Sequence, residues 1–329
     1  MSTQPTYTQA YGTQPLVSFI IPAYNLPTEM LRECIDSILR LSLANNEREI
    51  ILVDDGSDLS PLSSLTDVAD QLIYVRQPNR GPSAARNVGL AIAKGKFIQF
   101  VDGDDALMQS SYEHCMDIVR YQHPDIVVFQ STSKADGGTS GYTDQEPVSG
   151  SDYLRHNNLQ GRVWGYVFRH SLFINLRFHE GIIHEDEEII PQLLLRADSV
   201  YHTSAAAYYY RERQGSIMQR DDKRWQVKRL EDLLTVIDTL NDKLDRLPAD
   251  DRSALQRRVD QLTMDYLYNV IMQTRSPHYL ERSLRRLQRR GLYPLPVRHY
   301  TRKYQLFAKM INTRLGRRLL LRTLPLLPR

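Results

Sequence analysis

Short apolar runs alternate with helical segments through roughly the first 130 residues, and this alternation constrains the fold more than any other feature. Five runs have the length and composition of buried strands, at residues 16–21, 49–53, 72–75, 97–101 and 125–129. Apolar residues recur at helical spacing between several of them, at residues 30–39, 83–93 and 110–121. Strands alternating with helices form βαβ units. The sequence therefore predicts an α/β fold with a mostly parallel central sheet, helices on both faces and a first strand ending at Pro22.

Two acidic segments follow directly after predicted strands. Residues 54–58 read D-D-G-S-D, and residues 102–105 read D-G-D-D. Ligands of open α/β sheets bind at the carboxyl ends of the strands. Carboxylates are hard oxygen ligands that suit Mg²⁺ or Mn²⁺, and such an ion can neutralise a departing diphosphate. Each segment on its own is also consistent with a solvated turn, because Asp and Gly are favoured turn residues.

Two further segments have the chemistry of a nucleotide site. Residues 22–25, P-A-Y-N, follow the first predicted strand, where Tyr24 can offer an aromatic face to a base. Residues 79–87, N-R-G-P-S-A-A-R-N, open a helix whose N-terminus favours an anion. Arg80 and Arg86 of this segment can contact a nucleotide. Surface aromatic and arginine side chains are common, so neither segment is decisive alone.

Together, in this order, the four segments resemble the nucleotide-binding half of family 2 glycosyltransferases, which have the Rossmann-like GT-A fold. The likeness is close over residues 17–106 and looser to about residue 217. It implies that Asp104 is the first ligand of Mn²⁺ or Mg²⁺, with Asp102 as a ribose or metal partner. It also implies a set of nucleotide and donor contacts, at Pro22, Tyr24, Asn25, Asp54, Asp55, Arg80, Arg86, Asp102, Gly103 and Asp105.

The later half of the chain holds a second acidic cluster, H-E-D-E-E at residues 184–188, ahead of apolar residues at helical spacing. Acidic residues in a first helical turn also complement the helix dipole, so a structural role is an alternative. The resemblance implies that Asp186 is the general base and Glu185 lies on the acceptor side. Trp164 can stack on an acceptor sugar, with core packing an equal alternative. Either Arg211 or Arg213 is expected near the diphosphate.

The resemblance predicts an inverting, metal-dependent transferase. It would move one sugar from a nucleotide sugar, UDP by default, to a hydroxyl of a glycan or lipid-linked saccharide, as in surface polysaccharide assembly. The Q-x-x-R-W segment and membrane spans of processive synthases are absent from the sequence. A sugar-nucleotide nucleotidyltransferase is one alternative, but the glycine-rich basic loop expected after its first strand is replaced by residues 22–25. A non-catalytic sugar-nucleotide-binding adaptor is another, although all candidate carboxylates are present.

The net charge of +3 conceals a strong asymmetry. Residues 281–329 contain 14 Lys and Arg against one acidic residue, a net charge of +13, so the preceding 280 residues carry −10. Arginines and leucines interleave over residues 314–322, a pattern that favours an anionic membrane surface. Docking on the acidic catalytic domain, or on a sister subunit of a homo-oligomer, is the main alternative. Nucleic-acid binding is the weakest alternative, and no nucleic-acid partner is expected.

The predicted organisation has three parts. Residues 1–15 are expected to be disordered, and residues 16–220 to form the GT-A domain, divided at residue 106 into nucleotide and acceptor halves. Residues 221–329 are expected to form a helical, basic extension. The absence of a signal peptide and of any apolar run of about 18 residues predicts a cytoplasmic protein, peripheral on the membrane at most. Cys34 and Cys115 lie among apolar neighbours and are expected to be buried thiols.

Overall fold

The computed structural model describes residues 14–134, 141–159, 161–212 and 222–326. Most of the chain predicted to be disordered, residues 1–15, lies outside this part. The described residues contain an eight-stranded sheet in the order β3-β2-β1-β4-β7-β6-β8-β5. Its strands are β1 Val17–Ala23, β2 Arg48–Asp54, β3 Leu72–Arg76, β4 Phe97–Phe100, β5 Ala106–Leu107, β6 Ile126–Thr132, β7 Tyr166–Arg169 and β8 Val200–Tyr209.

The sheet is parallel in its first half and mixed in its second. Strands β1 to β4 pair in parallel, as do β6 and β8, whereas β7 runs antiparallel to both β4 and β6, and β5 antiparallel to β8. The five predicted strands are confirmed, with ends displaced by up to three residues. The expectation that Pro22 ends the first strand was wrong. Pro22 and Ala23 remain paired with Val53 and Asp54, and the Ala23 carbonyl accepts a hydrogen bond from the Asp55 amide.

Helices cover both faces of the sheet, as predicted. The helices of the sheet-containing part are α1 Thr28–Leu39, α2 Pro82–Ile92, α3 Gln109–Gln122, α4 Gly150–His156 and α5 Glu185–Leu194. Adjacent residues of a strand point to opposite faces. Phe19 of β1 accordingly packs in one core cluster with Ile35 of α1, and Ile20 in another with Leu90 of α2. Cys34 and Cys115 are fully buried in the first cluster, as expected.

The described C-terminal residues are helical, without strands, as the sequence predicts. Their helices are α6 Lys223–Asn241, α7 Ala249–Thr274, α8 Pro277–Arg289, α9 Arg302–Ile311 and α10 Arg314–Thr323. They share an apolar core of their own. Helix α7 also fastens them to the rest of the molecule, because Arg257 donates to the carbonyls of Leu154 and Asn157 at 2.9 and 2.6 Å. Arg258 forms an ion pair with Glu187 of α5.

Candidate active site

Strands β1, β2 and β4 are neighbours, so the loops that follow them meet at one edge of the sheet. Asn25, in a left-handed conformation at φ +47°, joins the first two loops. Its backbone amide donates to Ser57 Oγ at 2.9 Å, and its side chain exchanges two hydrogen bonds with Asp58, at 2.8 and 3.1 Å. Tyr24 beside it remains 48% exposed. The loop is therefore held in place while the aromatic ring stays open to solvent, as stacking on a base requires.

Asp54 and Asp55 are both buried but have different partners. Asp54 accepts hydrogen bonds from the Ser57 amide at 2.9 Å and the Tyr74 hydroxyl at 2.8 Å. Burial alone would raise the pKa of Asp54, but the hydroxyl and amide of Ser57, the Tyr74 hydroxyl and the charge of Arg76 together hold the pKa below its usual value. Asp55 accepts from the amides of Arg80 and Gly81, at 2.9 and 2.8 Å. The D-D pair thus shapes both the turn after β2 and the entrance to α2.

Gly56 is required at the turn between these loops. Its φ is +79°, and a Cβ there would lie 2.7 Å from the Asn79 amide nitrogen. Only glycine combines that backbone conformation with so close an approach. We expect Gly56→Ala to separate the loop after β2 from residues 77–79 and to destabilise the fold by about 1–3 kcal/mol. Urea denaturation checks this. Gly141→Ala is the comparison variant for positive φ, because a Cβ at Gly141 would meet no atom of the described residues within 4 Å.

The guanidinium of Arg86 lies between two distant parts of the sequence. It is buried, with 6% of its side chain exposed, and donates to Asp102 Oδ1 at 3.1 Å and Glu185 Oε1 at 2.7 Å. Its Nη1 lies 3.6 Å from Asp186 Oδ1. We call these four residues the Arg86 cluster. The cluster joins the acidic loop after β4 to the first turn of α5. The sequence predicted a nucleotide contact for Arg86 but not these ion pairs.

The two carboxylate oxygens of Asp186 have different surroundings. Its Oδ2 accepts from the Val163 amide at 3.0 Å, while its Oδ1 is buried without a hydrogen-bond partner among the described residues. Desolvation raises the pKa of Asp186, although the charge of Arg86 opposes the rise. A carboxylate that has a raised pKa and an oxygen without a hydrogen bond can accept a proton at neutral pH. Glu185 is engaged by Arg86, so it supports this arrangement from the neighbouring position.

The loop after β4 is held by the end of β8. The Arg211 amide donates to Asp105 Oδ1 at 2.8 Å, and Arg211 Nε donates to the Asp104 carbonyl at 3.0 Å. The buried Tyr208 hydroxyl accepts from the Asp102 amide at 3.0 Å. Burial, together with the nearby charges of Asp102 and Asp104, raises the pKa of Asp105 to about 8. The Asp105 carboxyl is therefore harder to ionise than that of an ordinary aspartate.

Other predicted site residues have different surroundings. Arg80 pairs with Glu180 at 2.6 Å, and Arg213 lies outside the described residues. Trp164 is only 6% exposed and stacks on Tyr208, with ring centres 4.2 Å apart. This geometry favours the alternative of core packing for Trp164. Sequence reasoning missed that Tyr208 holds the loop after β4. The available signal was its position in a run of three tyrosines directly before Arg211.

The loops at this edge of the sheet lie within a stretch of sequence that matches a known family. A model described as glycosyl transferase family 2 matches residues 18–180, which span the loops after β1, β2 and β4 and the opening of α2. The chain belongs to glycosyltransferase family 2. Family membership favours the transferase hypothesis over the nucleotidyltransferase alternative.

Several curated proteins are similar to the chain. Glycosyltransferase GlyA of Streptococcus pneumoniae is 31% identical over 64% of this chain and 32% of its own length. The uncharacterised glycosyltransferase EpsJ of Bacillus subtilis is 32% identical over 62% of this chain and 63% of its own. The minor teichoic acid biosynthesis protein GgaA of Bacillus subtilis is 33% identical over 62% and 49%. The match thus spans less than two thirds of the length of each.

Solved structures show the same fold. Residues 1–349 of Staphylococcus aureus TarS, in complex with UDP-GlcNAc, align with a TM-score of 0.55 and 19% identity over 90% of both chains. The mannosyltransferase PcManGT of Pyrobaculum calidifontis, in complex with GDP-Man and Mn²⁺, aligns with a TM-score of 0.56 and 15% identity. That alignment covers 91% of this chain and 87% of PcManGT. The fold is therefore GT-A, as predicted.

Proposed function

We propose that this enzyme transfers a single sugar from a nucleotide sugar to an acceptor hydroxyl with inversion at the anomeric carbon. One observation carries the proposal: Arg86 contacts both Asp102, in the loop expected to hold the donor, and Asp186, the candidate base. The proposed donor-binding and proton-accepting groups would therefore share one site. The catalytic unit would be residues 16–220, with residues 221–329 as a helical region.

The open edge of the sheet supplies plausible donor contacts. The half-exposed Tyr24 would stack on the base, while Asp55 and the loop entering α2 would border it. UDP is the nucleotide we expect, since TarS, which shares the fold, binds UDP-GlcNAc. A guanosine donor is the alternative, because PcManGT binds GDP-Man. The Asp102–Asp105 loop would lie beside the diphosphate and the transferred sugar.

The chemistry of this loop fits a divalent cation. No group of three or more His, Cys, Asp or Glu side chains within the described ranges is arranged to hold an ion alone. Mg²⁺ and Mn²⁺ sites of nucleotide enzymes use one or two carboxylates and take their other oxygens from phosphates and water. Asp104 and Asp102 would supply the carboxylates. When bound, the ion would neutralise charge developing on the departing diphosphate.

Proton transfer would belong to Asp186. Its Oδ1, which receives no hydrogen bond from the described residues, would accept the proton of the acceptor hydroxyl. The hydroxyl oxygen would form a bond to the anomeric carbon as the bond to the nucleoside diphosphate breaks. Attack from the face opposite the leaving group inverts the configuration. Arg86 and the Val163 amide would hold Asp186 in position while this happens. Pre-set geometry of this kind lowers the entropic cost of reaching the transition state.

The acceptor proposed here is a glycan or lipid-linked saccharide of surface polymer assembly. Support comes from the similarity to GgaA, a teichoic acid biosynthesis protein. The transfer would stop after one sugar, because the Q-x-x-R-W segment of processive synthases is absent from the sequence.

A thermal-shift screen tests the donor site without requiring the acceptor. We expect one of UDP-, GDP- and dTDP-sugars to raise the melting temperature by several degrees in the presence of Mn²⁺, because ligands that bind the folded state stabilise it by mass action. A chain that none of these donors stabilises, with or without Mn²⁺, would contradict the proposed function.

Replacing Asp104 should remove the metal dependence of donor binding. We expect Asp104→Ala to weaken binding of the matching nucleotide sugar in the presence of Mn²⁺ by at least about tenfold, since one of the two carboxylates that would hold the ion is removed. Titration calorimetry with and without Mn²⁺ measures the change. Asp117→Ala, at an exposed position of α3, is the control and should bind as the wild type does. Equal affinity of Asp104→Ala and wild type would contradict a metal role for Asp104.

Activity should be lost on the acid side at a higher pH than it would be if the base were an aspartate of ordinary pKa. The base must be deprotonated, and burial raises the pKa of Asp186, so kcat/KM should decline as pH falls through a midpoint well above about 4. The charge of Glu185 raises the pKa of Asp186 further. Glu185→Gln should therefore move this midpoint to lower pH, whereas Glu188→Gln should leave it in place. An unshifted midpoint in Glu185→Gln would argue against Asp186 as the titrating base.

A further inference from the structure

Helix α10 presents leucines to solvent instead of burying them. Leu315, Leu319 and Leu326, at and just beyond this helix, are 51–80% exposed, whereas Leu320 is buried. A helix of a globular protein normally turns its apolar side toward the core. Within the described part of the chain, these exposed leucines therefore do not belong to an apolar core.

Arginines flank these leucines on the same side of the helix. Arg314, Arg318 and Arg322 recur every fourth residue, each one next to or near an exposed leucine, and all three are exposed. Residues four apart lie above one another on a helix, so the arginines form a row beside the leucines. Among the described residues these three arginines have no ion pair, in contrast to Arg317, which pairs with Glu281 at 3.0 Å.

Helix α9 packs against α10 and has a similar exposed side. Leu306 is 61% exposed, and Arg302 and Lys309 on the same helix are exposed as well. No acidic residue occurs between residues 282 and 329. We define the α9–α10 face by its exposed residues: Arg302, Leu306, Lys309, Arg314, Leu315, Arg318, Leu319, Arg322 and Leu326.

We propose that the α9–α10 face docks on an anionic lipid bilayer. Exposed leucines beside a row of cations suit the boundary where phosphates overlie acyl chains. A second copy of the chain is a less suitable partner for this face, because a symmetric contact would place two equally basic surfaces against each other. Nucleic acid would engage the arginines but leave the leucines in water. No described helix is long and apolar enough to span a bilayer.

The proposal goes beyond sugar transfer, and its test does not depend on activity. Docking would hold the helical region at the bilayer, and the Arg258–Glu187 ion pair links that region to α5, which carries Asp186. The catalytic unit would then meet a lipid-linked acceptor at the surface of the bilayer that contains it.

Vesicle co-sedimentation of the full chain tests the proposal. We expect binding to phosphatidylcholine vesicles containing phosphatidylglycerol, and at least roughly tenfold weaker binding to phosphatidylcholine alone. Combining Arg314→Gln, Arg318→Gln and Arg322→Gln should weaken binding by roughly a hundredfold, at about fivefold for each arginine near the surface. Combining Leu315→Ser, Leu319→Ser and Leu326→Ser should weaken it by about tenfold or more, because apolar burial is lost.

Two matched controls make the result specific to this face. Leu59→Ser alters a leucine that is 86% exposed in the catalytic unit, and Arg282→Gln, Arg285→Gln and Arg289→Gln together remove the same charge from α8. Both controls should bind vesicles within about threefold of wild type. Equal losses from the α8 and α10 arginine sets would show that only net charge matters and overturn the proposal.

Three further outcomes would also overturn it. One is wild-type protein that ignores anionic vesicles, and another is a leucine variant that binds as well as wild type. The third is a dimer in vesicle-free sedimentation that the leucine variant converts to monomer, which would assign the face to a second copy. Unchanged melting temperatures would show that the variants, all altered at exposed positions, remain folded.

Discussion

Replacing Asp186 with asparagine should lower kcat for sugar transfer by roughly 10²–10⁴-fold, the usual contribution of a general base. Asparagine keeps the shape of the side chain and can still accept from the Val163 amide, but it cannot accept a proton from the acceptor. Donor affinity should stay within about twofold of wild type, because the proposed donor contacts are elsewhere. Steady-state kinetics and donor titration on the same preparation separate the two effects.

The control for this variant lies on the same helix. Glu188 pairs with His179 at 3.0 Å and takes no part in the Arg86 cluster, so Glu188→Gln should keep kcat within about threefold. Full turnover by Asp186→Asn would assign proton transfer to another group. An equal loss in both variants would point to a structural effect of altering α5.

Replacing Arg86 with methionine should destabilise the fold by about 3–5 kcal/mol, the usual cost of removing one partner of a buried ion pair. Methionine fills a similar volume but leaves Asp102, Glu185 and Asp186 without their shared cation. Urea denaturation at pH 7 measures the loss in the free energy of unfolding. The loss should shrink as the pH is lowered toward 5, because the unpaired carboxyl groups can then take up protons.

Arg80 supplies the matched control. Its ion pair with Glu180 is largely exposed, so Arg80→Met should cost no more than about 1 kcal/mol. Arg86→Lys should fall between wild type and Arg86→Met, since lysine keeps the charge but not the fork that reaches several carboxylates. An Arg86→Met variant as stable as Arg80→Met would contradict the role of the Arg86 cluster in joining the two halves of the site.

Much of the first half of the fold could be predicted from sequence, for a clear physical reason. Strands β1, β2 and β4 are buried on both faces and are mostly apolar, so a run of residues such as Ile50–Val53 is sufficient to identify them. The acidic and glycine-containing loops come directly after these strands. Because the strands pair in parallel, their carboxyl ends and the loops that follow meet at one edge of the sheet. The order of the motifs along the chain then predicts the family.

The second half was harder to predict because its contacts are remote in sequence or its strands are atypical. Strand β8 includes Ser204 and three alanines, and β7 has only four residues, so neither stands out as a buried run. The Arg86–Glu185 contact joins residues 99 positions apart. Sequence alone therefore suggested Arg86 as a nucleotide contact and Trp164 as a sugar platform, without showing the ion-pair cluster or the aromatic stack around them.

The most direct test of the proposed activity measures nucleoside diphosphate released from UDP-, GDP- and dTDP-sugars by the full chain with Mn²⁺. We expect release from one nucleotide class, its loss on chelation of the metal, and its loss in both Asp104→Ala and Asp186→Asn. Failure of the folded wild-type protein to release any nucleoside diphosphate, even with saccharide acceptors present, would contradict the proposal. Undiminished release by both variants would contradict the assignment of the site.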